Sequence, residues 1–200
     1  MKRLRLNKTE LRNQKENLAR YGRYLPLLEV KKRQLQQEAE RVRARTRELV
    51  SEVQRVRTGL EGWVALLGED VGLRRLVRLQ AVRTGTENVA GIDVPVFREA
   101  IVVRERYDLF IFPLWVDAAV VAVSRVLVLK AEKSVLDERY RLIMEELRTT
   151  TQRVNLFERV KIPEARDAIH RIHIRLSDQQ AAATGWARTA KKKLAVERAT

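Results

Sequence analysis

The sequence predicts an all-α-dominated fold: a long antiparallel two-helix coiled coil with a small middle region that contains a short helix and a β-hairpin. Apolar residues recur at alternating spacings of three and four over residues 8–67 and again over residues 115–190, as in helices that pack along a narrow seam. The chain has only 8 Gly and 4 Pro in 200 residues, so it has few places to turn. Two long helices joined by a compact middle region are therefore expected to pair antiparallel, with both termini at the same end.

The first predicted helix spans about residues 8–67 and carries its apolar seam in two registers. The registers are Leu11, Leu18, Leu25, Ala39, Val53, Leu60 and Leu67, and Tyr21, Leu28, Leu35, Val42, Leu49, Val56 and Trp63. Pro26 lies inside this pattern, where its missing N–H and its ring disfavour an unbroken helix by about 3 kcal/mol. Because Leu25 and Leu28 keep the spacing across Pro26, we predict one continuous helix with a bend at Pro26. The predicted helix ends between Gly68 and Gly72.

Residues 71–113 form the predicted middle region, in which the helical spacing is lost. Residues 73–82 are predicted to form a short helix. Residues 92–97 and 100–103 are strand-like, and Gly91 and Pro95 interrupt the pattern, so a small β-hairpin that caps the two long helices is predicted. An irregular loop is the alternative for the same residues.

The second predicted helix starts at Pro113, because proline is tolerated in the first turn of a helix. Its seam comprises Trp115, Ala119, Ala122, Val126, Leu129, Leu136, Tyr140, Ile143, Leu147, Thr150, Val154 and Phe157, and then Ile162, Ala165, Ile169, Ile172, Leu176, Ala183 and Ala190. The apolar phase slips at Pro163. A proline together with a change of phase predicts a bend or a local change of supercoil. The predicted segments are therefore residues 1–70, 71–113 and 114–200.

The net charge of +15 is distributed unevenly along the chain. Residues 1–57 carry +10, residues 58–114 carry −1 and residues 115–200 carry +6. If the flanking helices pair, their positive surfaces coincide, and the paired region needs an acidic protein, a nucleic acid or an anionic membrane as its partner. The absence of cysteine excludes disulfide and thiolate chemistry and suits a reducing compartment.

Few residues offer catalytic or ligand chemistry. His170 and His173 share one side of a helix, but two histidines without a nearby cysteine or paired carboxylate make a poor metal site. Four carboxylates beside arginines have the spacing of a solvated helix face: Asp137, Glu138, Glu145 and Glu146. No G-x-x-x-x-G-K-[ST] loop occurs, and no apolar run approaches the roughly 20 residues that cross a bilayer. We therefore expect no catalysis, cofactor, bound metal or membrane insertion.

The strongest rival function is nucleic-acid binding, which a sequence pI of about 10.7 and the alternating Arg41, Arg43, Arg45 and Arg47 suggest. In a zipper-type binder, the basic region precedes the heptads, whereas Val42 keeps the seam in phase inside this basic stretch. A scaffold on a membrane surface is a third alternative, but helix pairing uses the apolar faces and leaves no amphipathic segment over.

Three separated segments carry more specific motifs. The first comprises residues 6–11, 24–26 and 28–35, with Pro26 and Lys31-Lys32-Arg33. The second is a Glu-Asn-Val-x-Gly-x-x-x-Pro turn with Glu87, Asn88, Gly91 and Pro95. The third is Thr150-x-x-Arg153-Val154-Asn155 followed by Ile162-Pro163. In these segments, which together span nearly the whole chain, the sequence resembles the D subunit of the V/A-type rotary ATPases, in the form found in bacteria. Phe157, Arg159 and the tail after Ala181 depart from the pattern.

The resemblance implies a non-catalytic rotor subunit, the central shaft that couples ATP hydrolysis or synthesis to ion translocation. Its implied partners are a hexamer of catalytic and regulatory subunits, a small stalk protein (the F subunit) and a funnel-like subunit on the membrane ring. The implied location is cytoplasmic and peripheral to the cell membrane. Contacts with the hexamer or with the small stalk protein are expected at Arg153, Asn155, Lys31, Lys32, Arg33, Arg188, Lys191, Lys192 and Lys193.

Overall fold

The computed structural model describes residues 5–60, 72–107, 112–113 and 115–197 of the 200-residue chain. In chain order, the elements are α1 (Lys8–Leu60), α2 (Leu73–Leu76), β1 (Val77–Val89), β2 (Ile92–Arg104), α3 (Trp115–Leu156), a π-helical turn (Phe157–Lys161) and α4 (Ile162–Glu197). The predicted fold class, long helices with a small central β-hairpin, is confirmed. Trp63, Leu67 and the predicted helix end after Gly68 lie outside the described residues.

The chain divides into two compact units. Unit 1 comprises residues 1–30 and 150–200, and therefore contains the start of α1, the end of α3, the π-helical turn and α4. Unit 2 comprises residues 31–149 and contains the rest of α1, the hairpin and most of α3.

Helix α1 begins where the sequence provides a cap. The side-chain Oδ1 of Asn7 accepts a hydrogen bond from the backbone N–H of Glu10 at 2.7 Å, which satisfies a group that a helix start leaves without a partner. The helix continues through Pro26, so its predicted continuity is confirmed, while the bend at Pro26 stays a prediction. Every described residue of the predicted α1 seam is buried or half-buried. The buried ones are Leu35, Ala39, Val42 and Leu49.

In unit 2, ion pairs fix the register of α1 against α3. Three pairs join the two helices: Lys31–Glu146 at 2.6 Å, Glu38–Arg139 at 2.5 Å and Arg45–Glu132 at 2.9 Å. From one pair to the next, the residue number rises by seven on α1 and falls by seven on α3. Constant heptad steps of opposite sign are the signature of an antiparallel coiled coil in a single register. The predicted antiparallel pairing is confirmed within this unit.

The hairpin packs along the side of the two helices in unit 2. Val94 of β2 is fully buried against Leu35 and Ala39 of α1 and Ile143 of α3. A second buried cluster, at the base of the hairpin, comprises Leu76, Val77, Val116 and Val120. The hairpin thus lies along the helices and does not simply cap their ends, because this position removes its apolar side chains from water.

The strands are longer than the sequence pattern indicated. Strand β1 pairs with β2 from Val77 opposite Arg104 to Val89 opposite Ile92, with irregularities near Gln80 and after Arg83. The predicted helix over residues 73–82 is therefore wrong beyond Leu76, since residues 77–82 are extended. Cross-strand pairing outweighs local helix propensity in such a segment, because a strand gains most of its stability from its neighbours.

In unit 1, α4 carries a buried seam that ends before the helix does. Ala165 and Ile172 are buried, and Leu176 is half-buried. All side chains of residues 177–192 are exposed, so the predicted seam positions Ala183 and Ala190 are wrong. Tyr21 packs on Phe157. In antiparallel helices, a residue that precedes Tyr21 lies opposite one that follows Phe157 by about the same number of positions, so Lys8, the first residue of α1, lies opposite about residue 170. Within the described residues, α4 therefore extends past the start of α1, and its last turns have no helix to pack on.

Candidate functional site

The predicted turn motif forms the tip of the hairpin. Ala90 and Gly91 have φ angles of 50° and 81°, and positive φ at both central residues is required for a two-residue type I′ turn. Asn88 supports the turn twice. Its Oδ1 accepts the backbone N–H of Gly91 at 3.2 Å, and its side-chain amide donates to Oδ1 of Asp93 at 2.8 Å. The motif residues therefore shape the tip itself, while Pro95 lies half-buried in β2 opposite Thr86.

Glu87 connects the hairpin to both helices through one arginine. Arg139 of α3 pairs with Glu38 of α1 at 2.5 Å and with Glu87 of β1 at 2.9 Å. The side chains of Arg139 and Glu38 are only 11% and 13% exposed, whereas that of Glu87 is 54% exposed. The N–H donors of a guanidinium have fixed directions, so a buried arginine that pairs with two carboxylates fixes the positions of both. The arginine therefore orients the hairpin on the helices.

The three consecutive basic residues predicted to contact a partner differ in their surroundings. Lys31 pairs with Glu146 at 2.6 Å, and its Nζ lies near Gly91, so Lys31 is placed beside the hairpin tip. Lys32 is half-buried, at the heptad position between Leu25 and Ala39, and Arg33 is exposed. Of the three, only Arg33 has an exposed side chain.

A π-helical turn, Phe157–Lys161, immediately precedes Ile162 and Pro163. The N–H of Ile162 donates to the carbonyl of Phe157, five residues earlier, where an α-helix would use the residue four earlier. In an α-helix, the ring of Pro163 would clash with the carbonyl of Arg159, and its nitrogen could not donate. The change of hydrogen-bond register accommodates the proline without ending the helix.

The same π-helical turn explains the slip of the apolar phase. Continued at heptad spacing from the buried Thr150 and Val154, the seam would reach positions 157, 161, 164 and 171. The structure instead buries Ala165 and Ile172, each one residue later. A π-helical turn holds one extra residue, so the side chains after it return to the buried side. The phase slip is thus confirmed, and the bend at Pro163 stays a prediction.

The remaining predicted contact residues belong to unit 1, and those whose side chains are described are exposed. Arg153 and Asn155 are exposed on the last turns of α3, where they flank the buried Val154 on either side. Arg188, Lys191 and Lys192 are exposed on α4, while the side chain of Lys193 lies outside the described residues. Trp186, in the same stretch, is 81% exposed, which is unusual for so large an apolar side chain.

The positive charge is concentrated in unit 1. By sequence, unit 1 contains 19 Lys and Arg against 8 Asp and Glu, a net charge of +11. Unit 2 contains 22 against 18, a net charge of +4, although it is the larger unit. The higher net charge of unit 1 attracts acidic surfaces to that unit more strongly than to unit 2.

The arginines of residues 41–47 are largely engaged within the chain. Three of the four pair with carboxylates: Arg41 with Glu38, Arg43 with Glu40, and Arg45 with Glu48 and Glu132. The hydrogen bond to Glu132 is the main cause that raises the pKa of Arg45. Val42 between them is buried in the seam. Guanidinium groups already paired with carboxylates are poorly placed to neutralise phosphates, so these residues do not favour nucleic-acid binding.

The described residues contain no candidate cluster of metal ligands and no candidate membrane-spanning helix. Within them, no three or more His, Asp or Glu side chains converge where they could hold a metal ion. His170 and His173 are both exposed. Among the described helices, none combines the length and apolar character that crossing a bilayer requires.

Sequence reasoning missed the residues that set the register. The sequence pattern places Glu146 and the neighbouring Arg139 on a solvated helix face, but they pair with Lys31 and Glu38 of α1. Glu38 is not singled out by the sequence pattern. The signal that could have identified them is the reciprocal heptad spacing of charges on the two helices, read in antiparallel order. That signal becomes visible only when both helices are aligned against each other.

The comparison with known proteins agrees with these features. A family model that describes the D subunit of ATP synthase matches residues 10–192. The chain belongs to this family. It is 34% identical over 194 residues to the D subunit of the V-type ATP synthase of Borreliella burgdorferi, with 97% of this chain and 96% of the relative covered. It is also similar to the proteins of the same name from Chlamydia pneumoniae, at 32% identity over 200 residues (98% and 95% covered), and Chlamydia caviae, at 31% over 194 residues (96% and 93% covered).

Proposed function

We propose that the chain is the central-stalk shaft of a V-type ATP synthase, a non-catalytic rotor subunit that couples ATP hydrolysis or synthesis in a hexamer to ion translocation through a membrane ring. Family membership over nearly the full length of the chain supports this role. The observation that carries it is the register-locked antiparallel helix pair of unit 2, because a shaft that transmits torque must resist sliding of one helix on the other.

The charge of unit 1 supports a contact with an acidic cavity. Its net charge of +11 and its exposed Arg153, Arg188 and Lys191 would attract acidic loops of a surrounding hexamer. Exposed charge pairs contribute only about 0–1 kcal/mol each, so a rotor can exchange one partner for the next as it turns. The small stalk protein and the funnel-like subunit on the membrane ring complete the proposed set of partners. The proposed location is cytoplasmic, peripheral to the cell membrane.

Co-expression with the hexamer subunits and the small stalk protein tests this function. A tag on this chain should recover a stoichiometric complex at moderate salt, and the ATPase activity of the hexamer should depend on the chain. The matched control is the same expression without this chain. Recovery of the chain alone, together with binding to duplex DNA that weakens steeply with salt, would instead support the nucleic-acid alternative.

Shortening the ends of unit 1 should uncouple the motor. Removal of residues 1–15 and 186–200 is expected to abolish ATP-driven ion transport while hydrolysis continues and the small stalk protein stays bound, because the truncated shaft keeps part of its proposed contact with the hexamer but loses the end that would transmit torque. Transport is measured in reconstituted vesicles, and the bound stalk protein by gel densitometry. A full-length control with Arg188, Lys191 and Lys192 replaced by glutamine separates the loss of charge from the loss of length. Release of the small stalk protein by the truncation would show that the proposed orientation of the shaft is reversed.

A further inference from the structure

Three large apolar side chains lie exposed on one side of α1 in unit 1. Leu27 is 65% exposed, Tyr24 is 55% exposed and Val30 is 51% exposed. Helix residues three positions apart are neighbours, so these side chains form a continuous apolar stripe about 9 Å long. Such spacing makes a ridge that fits the groove of another helix. We call Tyr24, Leu27 and Val30 the apolar stripe.

The apolar stripe is separate from the coiled-coil seam. Tyr21, Leu25 and Leu28 of the same turns are half-buried and belong to that seam. Other exposed apolar residues, such as Val50 on α1 and Val121 on α3, do not form such a run. Single exposed apolar residues are ordinary, whereas a contiguous group usually marks an interaction surface.

Two arginines flank the apolar stripe at its N-terminal end. Arg20 donates to the side-chain oxygen of Asn17, and Arg23 donates to the backbone carbonyl of Ala19 at 3.4 Å. Neither arginine pairs with a carboxylate of the described residues. Each precedes a stripe residue by four positions, and therefore lies on the same side of the helix. The net charge of +11 on unit 1 disfavours a second copy of the chain and favours an acidic partner.

We propose that the apolar stripe binds an amphipathic helix of the hexamer, whose apolar face covers Leu27 and whose flanking Asp or Glu side chains pair with Arg20 and Arg23. This inference rests on the proposed function, because the hexamer is the partner that the basic unit 1 would meet. It assigns the contact to a defined face of α1. The first motif segment includes Tyr24 and Val30, but it does not separate this face from the seam. A second copy of the chain, the small stalk protein and a lipid surface are the other occupants that the test must separate.

The first arm of the test measures affinity. The triple variant Tyr24→Ser, Leu27→Ser, Val30→Ser should bind the purified hexamer at least tenfold more weakly than the wild-type chain, in complex with the small stalk protein in both cases. The control Val50→Ser, equally exposed on the same helix, should bind as the wild type does. The helical circular dichroism of both variants should be unchanged, because all four side chains lie in solvent. Equal affinity of the triple variant and the wild type would overturn the assignment and leave the proposed function standing.

The second arm identifies the occupant. A photo-reactive benzoylphenylalanine in place of Leu27 should cross-link, in the assembled complex, to a helical segment of a hexamer subunit with apolar residues at i and i+3 or i+4 and at least two carboxylates. The variant Arg20→Glu, Arg23→Glu should also bind the hexamer at least tenfold more weakly at low salt, with a smaller loss at high salt. Cross-links into the small stalk protein or a second copy of the chain would overturn the proposal.

The third arm separates a protein partner from lipid. The wild-type chain should not co-sediment with vesicles of phosphatidylcholine and phosphatidylserine more than the triple variant does. Stripe-dependent co-sedimentation would overturn the proposal by assigning the stripe to an anionic membrane. If the wild-type chain failed to join the hexamer at all, both this inference and the proposed function would be lost.

Discussion

Deletion of Val160 is expected to lower the free energy of unfolding of the full chain by about 3 kcal/mol. Val160 is partly exposed, so its deletion removes the extra residue of the π-helical turn without emptying a buried site. If the helix then becomes α-helical throughout, the ring of Pro163 meets the carbonyl of the preceding turn, which costs about 3 kcal/mol. If the π-helical turn persists, Ala165 and Ile172 rotate off the seam at similar cost. Urea denaturation followed by circular dichroism measures the change.

A second variant separates the two effects of the π-helical turn, which are to accommodate Pro163 and to keep Ala165 and Ile172 on the seam. Deletion of Val160 combined with Pro163→Ala should recover most of the lost stability, because an α-helix without the proline keeps Ala165 and Ile172 on the seam. Pro163→Ala alone serves as the control and should change stability by less than about 1 kcal/mol, since the phase of the seam still requires the extra residue. Equal stability of the single deletion and the double variant would mean that the proline does not determine the cost.

Replacement of Arg139 by methionine is expected to cost about 2 kcal/mol of unfolding free energy. The variant leaves Glu38, whose side chain is 13% exposed, without its closest cation, and removing one partner of a buried pair typically costs about 3–5 kcal/mol. Two features reduce the cost. Arg41 lies 3.4 Å from Glu38 and remains, and the Nε of Arg139 is buried without a hydrogen-bond partner among the described residues. The measurement is a urea or thermal denaturation curve of the full chain.

Arg141, two residues further along α3, provides the matched control. It pairs with Glu138 and Glu145, but its side chain is 60% exposed, so Arg141→Met should have no measurable effect on stability. The double variant Glu38→Gln, Arg139→Met should be more stable than Arg139→Met alone, because it removes the uncompensated charge. If Arg139→Met and Arg141→Met proved equally harmless, the arginine would not hold the hairpin on the helices.

The seam was predictable because it is a local property. Apolar residues at spacings of three and four identify the buried side of a helix wherever its partner lies, and the described seam residues from Leu11 to Leu176 are mostly buried or half-buried. The phase slip at Pro163 was also predictable from the sequence, since one extra residue shifts the apolar positions after it by one. The seam prediction is wrong at Ala183 and Ala190. Alanines recur there at helical spacing, but no described helix covers them.

The candidate contact residues were only partly predictable. A basic residue has the same sequence signature whether it meets a partner or closes an ion pair within its own chain. Lys31 pairs with Glu146 beside the hairpin tip, while Arg33, two residues later, is exposed. The apolar stripe was missed for a related reason, because Tyr24, Leu27 and Val30 interleave with seam residues and are separated from them only by measured exposure.

The sequence by itself determined the two long helices, the central hairpin, the phase slip and the family, since each depends on periodicity or on motifs of a few neighbouring residues. Only the tertiary structure decided that residues 77–82 form a strand, that the hairpin lies along the helices, and that Arg139 joins three elements. The physical reason is the sequence separation of the residues that interact. Periodicity records which side of a helix is buried. The ion pairs Arg45–Glu132 and Glu38–Arg139 join residues that are separated by 87 and 101 positions in the sequence, so they depend on which surfaces meet after folding.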